Sequence, residues 1–425
     1  MHEYLRKLPK EIQDLIHLAS GIAYRDKLSV YLVGGFVRDL ILNVRNFDID
    51  IVVECNGIKF AADLAQALKA KLISHKRFGT ATVILASGLK IDVATVRKEF
   101  YPQPACLPEV SSGTLKEDLF RRDFTINAMA INISKDDFGR RVDFFGGYDD
   151  LRHKKIRVLH ALSFIDDPTR ILRAIRFATR YNFKIEAQTL RLLKEAVKLK
   201  MLQKVQPQRV RDELMLMLNE DYPLKQIKHI QKLVKFNFIS PRLSLTQRVG
   251  RFLDSVKKEI AWFEKALPRH RQLDVWLTFF TGLIDPLNLA EITATCRKFV
   301  FRKGEESRIF AYKAVSAKFI KTLSQGRLKP ANIFHLLEPL SYEVVILLKA
   351  KYKNRNLQRH IEDFFKHYHG LRIHISGHDL HSLGLTPGPH YQKIFRKVLD
   401  AKLNGLVKTK DEELGLIKEL ENRSS

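Results

Sequence analysis

Residues 29–53 read SVYLVGGFVRDLILNVRNFDIDIVV. The β-branched run from Val30 to Val33 predicts a strand, Gly34-Gly35 a tight turn, and FVRDLIL a helix directly after it. A short polar link leads into a second β-branched run that contains Asp48 and Asp50. Side chains two apart in a strand share a face. Asp48 and Asp50 therefore present two carboxylates side by side, while Ile49 and Ile51 turn to the core. Carboxylates that close repel unless a cation neutralises them, and oxygen ligands suit Mg²⁺. The glycines allow close backbone approach to a bulky anion, at a helix N-terminus whose dipole favours negative charge. Arg38 and Asp39 lie on that helix. Each half alone is ordinary, a simple turn or a solvated strand edge; together, at this spacing, they are specific.

The 425-residue chain is too long for one core, so two to four domains are expected. A hydrophobic content of 45% with 28% charged residues describes a globular protein. Cys55, Cys106 and Cys296 form no metal-binding pattern and suggest a reducing compartment. The start, MHEYLRKLPK, lacks the apolar core of a signal peptide, and the strongest apolar run, VWLTFFTGLI, is too short to span a bilayer. A cytoplasmic protein is expected. The net charge of +27 is unevenly placed. Residues 1–150 hold 21 Lys/Arg and 20 Asp/Glu, whereas the remainder holds 53 and 27. Such a basic surplus suits a polyanion, RNA above a membrane surface, because no isolated basic amphipathic segment stands out.

Along the chain, residues 2–27 predict one amphipathic helix, and NGIKFAADLAQALKAKL another. TATVILA and LKIDVATV predict strands joined at Ser87-Gly88, with Asp92 as a third carboxylate on the sheet. Residues 93–120, with three prolines and no steady period, predict a long surface loop. In RRDFTINAMAINI, Arg121, Arg122 and Asp123 are expected to open a helix; guanidinium forks match phosphate oxygens, and a carboxylate accepts from ribose hydroxyls. Beyond Gly146-Gly147, β-runs stop and helical periodicity takes over, so a hinge is placed at about residues 143–151. In FIDDPTRILRAIRFATRYNF, Pro168 suits a helix start, with Asp166 or Asp167 as its cap. Asp167 and Arg170 then share a face, and Arg173, Arg176 and Arg180 follow. By itself such a pair is an ordinary i,i+3 ion pair. Arg209 and Glu213 are expected to form an i,i+4 ion pair. After residue 222 the sequence offers packed helices with basic outer faces and no specific motif; the His378-Asp379 doublet lacks the spaced partners of a metal phosphohydrolase.

The ordered motifs GG-x-V-R-D, D-x-D, RRDFTINAMA and DD-x-x-R resemble, over roughly residues 20–220, the class II tRNA nucleotidyltransferases and bacterial poly(A) polymerases of the polymerase-β superfamily. The resemblance implies an α+β protein, with a mixed α/β nucleotidyltransferase head (1–148) and an all-α neck (149–222), body (223–340) and basic tail (341–425). It implies metal-binding, catalytic carboxylates at Asp48, Asp50 and Asp92, with Mg²⁺ as cofactor. Nucleotide contacts are implied from Gly34, Gly35, Arg38, Arg122, Asp123, Asn127, Asp167, Arg170, Arg173 and Arg176, with Asp167 and Arg170 reading the base. Asp166 stands where the family usually has Glu. The implied partners are tRNA, through its acceptor stem and 3′ end, and ATP, with CTP as a second candidate. The implied products are the terminal A, all of CCA, or CC. The full-length segment 93–120 favours A addition. Poly(A) synthesis and an inactive basic RNA-binding protein are the competing expectations.

Overall fold

The computed structural model describes residues 2–45, 48–76 and 79–422; Asn46 and Phe47 of the opening stretch lie outside them. The chain forms two compact units, Met1–Phe238 and Ile239–Ser425.

The first unit is built on a seven-stranded sheet. Its strands are β1 (Val30–Val33), β2 (Ile49–Val53), β3 (Lys71–His75), β4 (Thr80–Ile84), β5 (Lys90–Thr95), and, after an excursion, β8 (Ala130–Asn132) and β9 (Arg141–Val142). The excursion holds a separate hairpin, β6 (Arg97–Phe100) and β7 (Glu109–Ser112). The sheet order is β3-β4-β5-β2-β1-β8-β9. The β2–β5 pairing is parallel and sets Asp50 opposite Asp92. The alternation reads as expected: Ile49, Ile51, Ile91 and Val93 are at most 1% exposed. Burying each such side chain stabilises the sheet by about 1.5–3 kcal/mol. The aspartates between them face the other way.

Four local expectations change. The N-terminal helix is two pieces, His2–Arg6 and Lys10–Arg25, because the residue before Pro9 is pushed out of the helical region. Strand β3 pairs with β4 where helix was expected to continue. Residues 93–120 are ordered as the β6–β7 hairpin and the Leu115–Phe120 helix, which a Thr114/Glu117 capping box starts. The hairpin tip is anchored, since the Ala105 N–H donates to the Ile165 carbonyl at 3.1 Å. After Asp123 there is a single 3₁₀ turn, Thr125–Asn127, and then β8 rather than a helix; long-range pairing with β1 overrides the local pattern.

At Gly146-Gly147 the turn is held rather than open. The Asp143 carboxylate accepts the Gly147 and Tyr148 N–H groups, both at 2.9 Å. A Cβ on Gly147 would stand 2.2 Å from the Thr125 carbonyl oxygen. The helices Thr169–Arg180, Pro207–Leu218 and Pro223–Leu233 follow.

The second unit is helical. Its helix Gln247–Ala266 packs on Val275–Leu283 and Tyr342–Lys351. The strongest apolar run of the sequence is thus a core helix, buried from Trp276 to Leu283. Among the described residues no single helix is long and apolar enough to cross a membrane. Glu343, 1% exposed, accepts from both Arg271 Nη atoms at 2.8 and 3.0 Å. A smaller apolar cluster near the C-terminus gathers Ile375, Leu380, Ile394, Val398 and Ile417.

Candidate active site

The sheet and the Thr169–Arg180 helix enclose a cavity of about 490 Å³. Gly35, Arg38, Asp48, Asp50, Arg122, Asp123, Asn127, Asp167, Arg170, Arg173 and Arg176 all line it. Asp50 also borders an adjoining cavity of about 340 Å³, together with Asp92 and Arg122. Gly34 stands at the junction. Its φ of +68° suits glycine, and a Cβ there would lie 2.5 Å from Arg122 Nη1 and 3.6 Å from Asp50 Oδ2. The expected residues are therefore brought together, around a backbone turn left bare.

The strand side is a wall of carboxylates. Burial, with Asp92 and Asp48 nearby, pushes the Asp50 carboxyl up to about 6, against the pull of Arg122. Asp48 and Asp92 are exposed. Thr82, opposite Asp92 on β4, donates to its Oδ1 at 2.6 Å. Among the described residues no three His, Cys, Asp or Glu side chains stand close enough to hold an ion as they are placed. The donor set still fits a divalent cation: all oxygens, with mutual repulsion that a cation relieves.

The helix side is a wall of guanidinium groups, nearly all engaged. Arg38, 5% exposed, donates to both oxygens of Asp39 at 2.8 Å and to Asn127 Oδ1 at 2.6 Å. Its guanidinium also lies over the rings of Phe177 and Tyr181, at 5.2 and 4.9 Å from their centroids. Arg38 thus clamps its own helix, Gly35–Ile41, to the end of the Thr169–Arg180 helix. Asp123 Oδ2 accepts from Arg173 Nη2 and Nε at 2.6 and 2.9 Å, and its Oδ1 from Asn127 Nδ2 at 2.8 Å. These donors, Arg173 foremost, outweigh burial and hold the Asp123 carboxyl down at about 2. Arg176 donates to Glu213 Oε1 at 2.6 Å. Arg122 differs: its Nη2 donates to Asp118 at 3.1 Å, but its buried Nε has no partner among the described residues. An orphaned donor of this kind is costly unless an anion meets it.

The side chains of Asp167 and Arg170 do not pair with each other; the Arg170 N–H donates to the Asp167 carbonyl at 3.1 Å. Asp167 Oδ1 forms an ion pair with Arg209 Nη2 at 2.9 Å and accepts from Thr169 Oγ1 at 2.6 Å and from the Thr169 N–H at 3.1 Å, leaving Oδ2 without a hydrogen-bond partner among the described residues. Arg170 donates to Ser163 Oγ and to the Arg121 carbonyl, both at 2.7 Å. Glu213 receives Arg176 and Arg173 instead of Arg209, which corrects the expected i,i+4 pair. Of two further residues at the site, Tyr101 had no sequence signal and Arg209 was expected only as the partner of Glu213. Tyr101, the first residue of the β6–β7 loop, lines the cavity and donates to Glu99 at 3.3 Å; burial pushes its hydroxyl up to about 12. Arg209 sits on another helix, and only the tertiary structure shows that it holds Asp167.

Known proteins match this arrangement. The model of the poly A polymerase head domain matches residues 30–157, and that of the probable RNA and SrmB-binding site of polymerase A matches 182–245. A solved CCA-adding enzyme, apo form II, is 33% identical, with 98% of both chains covered and a TM-score of 0.78. This chain belongs to the class II tRNA nucleotidyltransferase family. The Thermotoga maritima CCA-adding enzyme complexed with tRNA is also 33% identical, with 98% of each chain covered and a TM-score of 0.74. An A-adding tRNA nucleotidyltransferase of Geobacter sulfurreducens is 38% identical across 97% of this chain. The chain spans about half the length of that curated relative, 48%. Divalent-metal dependence is a property of the family.

Proposed function

We propose that this chain transfers the adenylyl group of ATP to the 3′-hydroxyl of a tRNA ending in CC, releasing pyrophosphate without a template. The observation that carries this reading is the junction at Gly34. There the in-register Asp50 and Asp92 line one cavity with the Arg122 guanidinium, whose Nη1 would lie 2.5 Å from a Cβ on Gly34, across a backbone with no side chain in the way. Acidic oxygens for a cation and a spare guanidinium donor for an anion, side by side, suit a nucleoside triphosphate.

Asp48, Asp50 and Asp92 are assigned to Mg²⁺, which when bound acidifies the attacking hydroxyl and offsets charge on the leaving group. Gly34, Gly35 and Arg122 receive the triphosphate, with Arg38 holding the cradle from beneath through Asp39 and Asn127. Asp123 fixes Arg173 on the cavity wall, and Arg176 is held there by Glu213. Asp167 Oδ2 accepts from the exocyclic amine of the base, while Arg170 donates to its ring nitrogen. Arg209 and Ser163 hold that pair at the spacing the base requires. Head, neck, body and tail divide at 148, 222 and 340, the last two serving RNA binding in the cytoplasm.

The relative named as A-adding and the intact 93–120 hairpin favour adenylate addition over CC addition. The test offers tRNA ending before CCA, after C, or after CC, with labelled CTP and ATP supplied separately. One adenylate on the CC substrate alone is expected. CTP incorporation indicates CCA or CC synthesis, long A tracts indicate a poly(A) polymerase, and no incorporation overturns the proposal.

A further inference from the structure

We infer that Phe177 is a positioning residue for nucleotide binding, its ring a shared platform that holds the guanidinium groups of Arg38, Arg173 and Arg176 by cation–π attraction. This rests on the proposed nucleotide site and adds to it a side chain with no polar atom. Phe177 lines the cavity and is 4% exposed. The guanidinium carbons of Arg38, Arg173 and Arg176 lie 5.2, 5.5 and 4.8 Å from its ring centroid. Arg173 stands four residues before Phe177 on the Thr169–Arg180 helix, so the helical period itself brings the two together. Arg38 arrives from the Gly35–Ile41 helix. The ring is fixed in turn. It meets Phe124 nearly at right angles, with centroids 5.9 Å apart, and stacks with Tyr181 at 6.1 Å. The Tyr181 hydroxyl donates at 2.9 Å to Asp39, the carboxylate that Arg38 also grips.

Three guanidinium groups gathered at one ring repel one another, and each is held by a carboxylate: Arg38 by Asp39, Arg173 by Asp123, and Arg176 by Glu213, with Glu220 at 3.5 Å. A carboxylate consumes the N–H donors it receives. A ring face attracts the cation through its quadrupole and consumes none, so donors stay available for an incoming phosphate. Arg38 and Arg176 are 5% and 7% exposed, and the attraction is strongest where water is excluded. Leucine would fill much of the same space without that quadrupole. Each cation is therefore fixed between an acid and one common ring, and a ligand that meets cations already in place spends less on ordering them.

The test replaces Phe177 in the full chain with mono-, di- and trifluorinated phenylalanine, which drain the ring face of electron density at almost constant shape, and compares Phe177→Leu. Equilibrium binding of ATP in MgCl₂ is measured beside adenylate transfer to a tRNA ending in CC. ATP affinity is expected to fall stepwise, by about two- to threefold per fluorine. KM for ATP should rise in step while kcat changes by less than about twofold, and Phe177→Leu should bind ATP about as weakly as the trifluorinated chain. An ATP affinity that stays flat across the fluorinated series overturns the platform, whether or not the unfolding midpoint drops or Phe177→Leu weakens binding, because the ring then only fills space. Transfer by the unaltered chain leaves the proposed reaction standing in that case. A stepwise loss of ATP binding with no transfer by the unaltered chain supports the platform and overturns the reaction instead.

Discussion

The two walls of the cavity treat charge in opposite ways. On the strand wall, Asp50 is crowded by Asp48 and Asp92, and its carboxyl is raised to about 6. On the helix wall, Asp123 is surrounded by donors, with Arg173 foremost, and its carboxyl is depressed to about 2. Both acids are largely enclosed, so burial alone does not separate them. What separates them is whether compensation comes from the protein or is left for a ligand. The helix wall is finished by folding; the strand wall is completed by what binds.

Removing an acid from each wall should therefore fail in different ways. The largest expected effect is Asp48→Ala, with adenylate transfer falling at least about 10³-fold while thermal unfolding stays near that of the unaltered chain. Asp123→Asn should do the reverse first. Breaking its buried pair with Arg173 should cost about 3 kcal/mol of stability, read by denaturant unfolding. Its folded value lies below the ordinary 3.8. Its contribution is thus present above about pH 4 and lost as pH falls toward 2, a loss the Asn variant should not show.

The opposite sign holds for Asp50. Its folded value lies above 3.8, so its contribution is full below that pH and is lost as pH rises through about 6, by on the order of 2–3 kcal/mol. Melting temperatures from pH 4 to 7 should show this decline in the unaltered chain, a flatter profile in Asp50→Asn, and recovery when MgCl₂ is added to the unaltered chain only. The smallest effect is expected at Arg209→Ala. Freed of its partner, Asp167 should discriminate ATP from GTP about tenfold less well. A KM rise for ATP at unchanged tRNA affinity would mark Arg209 as a positioning residue, and a matching loss of stability without that rise would mark it as structural only.

The strand wall was legible in the sequence because its information is local. A period of two places Asp48 and Asp50 together, and a hairpin turn delivers Asp92 to the same sheet. The parallel register that sets Asp50 opposite Asp92 completes what the spacing implied. The helix wall was legible only as a set of residue types. Nothing in RRDFTINAMA announces that Asp123 binds Arg173, fifty residues later, or that the segment turns into β8 rather than a helix. Arg38 and Arg209 show the same limit. One was expected to reach a phosphate and is spent on Asp39 and Asn127; the other was expected to pair with Glu213 and holds Asp167. Pairings between distant segments are set by tertiary packing, which periodicity does not encode.

The division of labour between the walls is tested most directly by single-turnover transfer of labelled AMP to a tRNA ending in CC, titrated with MgCl₂, in the unaltered chain and in Asp50→Asn. A metal-dependent burst of one adenylate in the unaltered chain, with no burst at any MgCl₂ concentration in the variant, is the predicted result. Transfer that survives in Asp50→Asn with the same metal dependence would contradict the account.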